Sequence, residues 1–161
     1  MDYIIAVQAP AYPIDAEHFA IESAFGKHLQ ELRAAIGSEF DRLVLIAPRL
    51  TDAAYQAQRE HLHEISLQHD RIVFLPAHAT DDSAKRFWLS RARPLWSDIR
   101  GAVRNASVVH SGMASDIWRP LMAFVNFAGW FDTRVIVFMV DIDFRRNSQR
   151  YRQLGIWSLK A

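Results

Sequence analysis

Two carboxylates, Asp141 and Asp143, close an unbroken apolar run from Val135 to Val140, and Arg145, Arg146 and Asn147 follow at once. Carboxylates so spaced can hold a divalent cation, act as aspartyl nucleophiles, accept or remove a substrate hydroxyl proton, or cap a following helix while arginines neutralise them. The nucleophile reading needs the pair after the first strand with a hydroxyl residue behind it. Here the pair comes late in the chain and is followed by Phe144. A metal site needs further oxygen ligands, which the spacing does not identify, so no metal ligand is assigned. Asp141 is the candidate catalytic group, as base or hydroxyl acceptor.

Four residues are candidate substrate contacts: Gln8, His110, Asp143 and Arg145. Gln8 ends the first apolar run and offers an amide to a hydroxyl, or to loop backbone. His110 ends a later run, where a ligand or a covering helix could claim its ring. His28 falls on the inward face of a helical pattern and reads as a core or boundary histidine. His61 and His63, two apart on an expected helix, point apart and make poor joint metal ligands. No Gly-x-Gly-x-x-Gly, Gly-x-x-x-x-Gly-Lys-Ser/Thr or Gly-x-Ser-x-Gly occurs, which argues against tight dinucleotide or triphosphate binding and against a serine hydrolase elbow. Lys85, Arg86, Trp88, Arg91 and Arg93, with Trp96 and Arg100, form a basic stretch interleaved with tryptophan. It reads as a solvated helix face or as a peripheral contact with anionic lipid.

The elements that must position these residues alternate. Tyr3–Val7, Arg42–Ala47, Arg71–Leu75, Ser107–His110 and Thr133–Asp143 are apolar runs bounded by breakers, and they read as five strands. Unbroken rather than alternating apolarity marks strands covered on both faces. Between them the spacing predicts a helix capped by Asp15 and running from Phe19 to Ile36, with Gly37 as its stop. A second helix is expected from Thr51 or Asp52 to about Ser66. A third runs from Asp81 or Asp82 to about Asn105, kinked at Pro94, and a fourth starts at Pro120 with Leu121, Val125 and Ala128 inward. The last segment, to Ala161, is expected to be helical. The expected fold is α/β, a Rossmann-like doubly wound parallel sheet of about five strands in order 3-2-1-4-5, with helices on both faces. Its crevice would lie between the first and fourth strands, rimmed by Gln8–Pro13, His110–Gly112 and Asp141–Arg145.

The 161 residues, 50% hydrophobic, suit a single domain over 1–161. A formal net charge of +1 gives no argument for nucleic acid as a partner. With no cysteine there is no disulfide, thiolate metal site or cysteine nucleophile. The opening Met1-Asp2-Tyr3 has no basic leader, and no apolar run approaches the ~20 residues of a membrane span, so a cytoplasmic protein is expected.

Three stretches carry a family resemblance. Phe25-Gly26-Lys27-His28-Leu29-Gln30-Glu31-Leu32 is similar to the first helix of retaining GT-B glycosyltransferases, in their N-terminal, acceptor-side domain. Ala106-Ser107-Val108-Val109-His110-Ser111 resembles that domain's fourth strand, and Val135–Asp143 resembles the next, whose end carries a His or Asp near the acceptor hydroxyl. Asp141 occupies that place. The glycine pair of the family's first loop is absent, which puts the usual donor-phosphate contact there in doubt. The resemblance implies transfer of a sugar from a nucleotide-sugar to a glycan or lipid-linked acceptor. It implies no cofactor beyond that co-substrate, which a separate C-terminal donor-binding domain or subunit would hold, so this chain alone is expected to be inactive. Two alternatives stand beside it: a non-catalytic Rossmann-like interaction domain, and a metal-dependent GT-A-type transferase using Asp141 and Asp143.

Overall fold

The structure is a computed structural model that describes residues 1–112 and 121–139. Among the described residues five parallel strands form the centre: β1 (Asp2–Ala6), β4 (Arg42–Arg49), β6 (Ile72–Ala79), β7 (Ala106–Gly112) and β8 (Val135–Met139). They lie side by side as β6-β4-β1-β7-β8, the expected third-second-first-fourth-fifth arrangement. β1 and β4 are buried along nearly their whole length because layers cover both of their faces.

One face carries α5 (Ala92–Arg104) and α6 (Leu121–Phe131), with Leu95, Ile99, Val103, Leu121 and Val125 packed on Ile4, Ala6, Val44 and Ile46. The opposite face carries α1 (Ser23–Ile36), whose Leu29 meets Tyr3, Ile5, Leu43 and Leu45. The fold is thus α/β and Rossmann-like, with helices on both faces.

The sheet is mixed, however, with eight described strands rather than about five. β2 (Ala11–Pro13), β3 (His18–Glu22) and β5 (Leu62–Ser66) form an antiparallel extension in which β3 pairs with both β2 and β5. Phe19, Ile21 and Ile65 of this extension fold onto the α1 side, where Phe19 lies 5.4 Å from Phe74. The extension covers β6 on that side, where a doubly wound fold would lay its second helix. The segment available for such a helix, α2 (Asp52–Gln58), is only seven residues long.

Two expected helices are corrected by this. His18–Glu22 is a strand, because Phe19 and Ile21 alternate with period two, and α1 begins only at Ser23. Its N-terminal amides at Ala24 and Phe25 are capped by the Glu22 carboxylate, which is thereby held below the usual carboxylate range. Asp15 does not cap a helix. It accepts from the amides of Glu17 and His18 and pairs with the His18 ring, closing the β2–β3 turn. Thr51 does cap α2, through Ala54, but the helix stops at Gln58 and Leu62–Ser66 is strand.

The third expected helix is also rebuilt. Asp82 is buried, accepts from the Ala79 amide and meets Arg86 at 3.5 Å, while Ser83 caps α4 (Ala84–Arg86). The chain then takes a π-turn over Phe87–Arg91 into α5, so the irregularity expected at Pro94 sits just ahead of it. Pro120, the expected start of the fourth helix, and the segment from Val140 to Ala161 lie outside the described residues.

Candidate functional site

β1 and β2 run along the same edge of β4 and are one interrupted line. Val7 N donates to Ile46 O, Ala11 stands opposite Arg49, and Leu50 N donates to Ala11 O. Between these anchors Gln8-Ala9-Pro10 leaves the ladder. Pro10 has no N–H to give, so the excursion is built into the residue types. It occurs at the carboxyl end of β1, beside β7, where the winding of the parallel strands reverses. Open α/β sheets bind their ligands at such a point.

Gln8 occupies that excursion. Its Nε2 is buried and has no hydrogen-bond partner. A buried amide donor left unmade costs about 1–3 kcal/mol, so a group that accepts from it recovers that loss. Across the switch, register sets Ala6 opposite Ser111. Ser111 is fully buried and donates to Asn126 Oδ1 on α6, and Asn126 Nδ2 donates to Gly112 O at 3.4 Å. Asn126 thereby ties α6 to the end of β7. Among the described residues, what Gln8, Ser111 and Asn126 bring to the rim at β1 and β7 is polar and uncharged.

On the far side of the excursion is a second group. The Tyr12 and Tyr55 rings stack at 3.9 Å with planes 7° apart. The Tyr12 hydroxyl donates to Asp52 Oδ1 at 3.1 Å, and Arg49 lies 3.7 Å from the same oxygen and 6.0 Å from the Tyr12 ring centre. The ordinary Tyr12 pKa is pushed up, first by desolvation and then by the bond to Asp52. This pairing joins residue 12 to residue 55, and neither tyrosine was singled out from sequence as a contact. Spacing gives no signal for it, since it depends on β2 running beside β4.

His110 is near the end of β7, as expected, but on the side facing α1. It stands opposite Ile5, and its Nδ1 is 3.0 Å from the Tyr3 hydroxyl, a bond that either group can donate. Burial, and then the nearby His28, hold its pKa below the usual histidine value. The neutral ring is therefore the favoured form. Val135 and Val137 are exposed beside Val108 and His110 in register.

His28 sits on α1, near Phe25 and His110. His63 belongs to a strand, not a helix, and its Nε2 is 3.2 Å from Gln30 Oε1. Gln30 in turn donates to Asp70 at 3.1 Å. Asp141, Asp143 and Arg145 lie outside the described residues. Among the described residues no three His, Asp or Glu side chains cluster as a metal site would require.

What the described rim offers chemically is recognition: one unpaired amide donor, a serine–asparagine pair, and an aromatic stack beside a carboxylate. Comparison with known proteins finds no family model, no curated protein and no solved structure that matches the chain.

Proposed function

We propose that this chain is the acceptor-binding domain of a two-domain glycosyltransferase of GT-B architecture, working in the cytoplasm, and that the rim around Gln8 receives a hydroxyl-rich acceptor. The observation that carries this reading is the buried, unpartnered Nε2 of Gln8 at the reversal of the sheet winding. A neutral donor there suits a sugar hydroxyl rather than a phosphate, for which a glycine-rich loop or a cation would be needed. The Tyr12–Tyr55 stack, with Asp52 at its edge, adds an apolar plate and a carboxylate acceptor, the combination a sugar ring can use.

In this reading Asp141, two residues beyond the described end of β8, orients or deprotonates the acceptor hydroxyl. A base in that role contributes on the order of 10²–10⁴ in rate. Asp143 and Arg145 stand on the acceptor side with it. His110 enters through Nε2, because Tyr3 engages Nδ1. The nucleotide-sugar is held by a second domain or subunit.

An amide-detected NMR titration with simple glycans and with nucleotide-sugars tests the site. Glycans are expected to shift the Gln8 side-chain amide together with Gly112 and Asn126. Gln8→Met is expected to abolish the shifts at Gly112 and Asn126 while leaving stability unchanged or higher by up to about 1 kcal/mol, since it removes an unmade bond. No response of the Gln8 amide to any glycan would sink the reading. So would a loss of more than about 1 kcal/mol in Gln8→Met, which would assign the amide to the fold. In a complete two-domain enzyme, Asp141→Asn should lower turnover by about 10² or more with donor affinity kept. Turnover equal to the parent would remove Asp141 from the mechanism.

A further inference from the structure

A different surface, independent of the acceptor rim, is formed by α5 and α6. α6 is an eleven-residue helix without a single charged residue. Its inner side is buried, yet its outer side shows Phe127 at 57% exposure, Trp130 at 78% and Phe131 at 61%. From there a row of rings crosses to the neighbouring helix: Phe131 on Phe127, Phe127 on Trp96, Trp96 on Phe124, and Phe124 on Trp88. Leu89, 77% exposed, extends the apolar surface. Soluble surfaces rarely leave so many large rings together without a use.

A second row runs beside the first. With helical spacing, Arg93, Arg100 and Arg104 share the exposed side of α5. Among the described residues none of these three arginines lies within ion-pair distance of a carboxylate. Charge is also segregated along the chain. Residues 1–83 hold thirteen Asp and Glu against six Lys and Arg, whereas residues 84–161 hold thirteen Lys and Arg against five Asp and no Glu.

We propose that the α5–α6 surface docks onto an anionic lipid bilayer. The exposed Trp and Phe rings enter the interfacial layer, and the arginine row meets lipid phosphates. No helix among the described residues is long and apolar enough to cross a membrane, so the contact lies in the plane of the surface. Charge decides the occupant: the arginine row has no carboxylate in reach among the described residues, and an anionic surface supplies a continuous countercharge beside an apolar layer for the rings. The proposed surface is wider than the basic stretch from Lys85 to Arg93, because the exposed Phe127, Trp130 and Phe131 of α6 belong to it.

Sedimentation with phosphatidylcholine vesicles, with and without phosphatidylglycerol, tests the proposal, read together with tryptophan emission. The chain should bind the anionic vesicles with a blue shift, bind the zwitterionic ones at least about tenfold more weakly, and be released by salt. Inorganic phosphate should cause no blue shift. Arg93→Glu with Arg100→Glu, and separately Trp130→Ser with Phe131→Ser, should each abolish binding while circular dichroism stays unchanged. All these side chains are exposed. Equal binding to both vesicle types, no binding to either, or binding that survives both pairs of changes would overturn the proposal. Self-association lost in Trp130→Ser would instead assign the face to a second copy.

Discussion

His110 and His18 respond to acid in opposite senses. Burial, and then His28, lower the His110 pKa below its ordinary 6.5, so the folded chain resists a proton that the unfolded chain accepts. Its contribution is complete above about pH 6.5 and is lost as pH falls through that value towards the depressed folded pKa. His18 is raised by its bond to Asp15, so its contribution is present below about pH 6.5 and is lost as pH rises through the higher folded pKa. Urea midpoints followed from about pH 8 to about pH 5 separate them. His110→Gln, which keeps an acceptor for Tyr3, should lessen the loss on acidification, and His18→Gln should deepen it. A His110→Gln profile parallel to the parent would contradict the assigned cause. At this scale Gln8 was legible, because a polar residue between an apolar run and a proline marks a strand end. Its missing partner was not, since satisfaction depends on what the fold brings within reach. The same limit hid the Tyr12–Tyr55 stack.

Two helical glycines make contrary demands on their elements. At Gly26 of α1, an added Cβ would stand 2.9 Å from Cδ2 of His63, a ring fixed on β5 and bonded to Gln30. At Gly101 of α5 the same atom would meet nothing within 4 Å. Alanine gains about 1 kcal/mol over glycine inside a helix when nothing opposes it. Gly101→Ala should therefore raise stability by about 0.5–1 kcal/mol. Gly26→Ala should lower it by about 1–3 kcal/mol, because the overlap with a packed ring outweighs propensity. Thermal melts of the two variants, with His63→Ala added to Gly26→Ala as a relief, check the contrast. If both alanines stabilise, β5 does not press on α1. The misreading of β3 and β5 has the same root. Phe19 and Ile21 fit the start of a helical series, and Leu62 and Ile65 fit its spacing too, while the strand partners that decide the matter lie about forty residues away in the chain. α5 and α6 were legible because Leu95, Ile99 and Val103, and Leu121 and Val125, repeat every four residues over lengths too great for a strand.

Across the whole molecule, burial falls from the centre of the sheet to its margins. Ile4, Ile5, Leu45 and Ile46 are fully buried in β1 and β4, whereas β5 at one margin is mostly half-buried and Val135 of β8 at the other is exposed. Native-state hydrogen exchange should rank the amides accordingly, slowest in β1 and β4 and faster in β5 and β8. Uniform protection would show that the antiparallel extension unfolds only together with the parallel centre. The parallel order was readable because unbroken apolar runs alternating with helical stretches admit few right-handed windings. The charge segregation could also be counted from sequence, but its meaning could not. Only the packing of α5 against α6 joins the basic stretch to the exposed rings of α6, through Trp96 and Phe127. The Gln8–Pro10 excursion has one further effect. Because Val7 and Ala11 are each fastened to β4, the residues between them can change in length or type without moving any strand. The fold thus holds a replaceable cassette at the edge proposed for the acceptor, so that descendants of one scaffold could vary this segment while inheriting the same core.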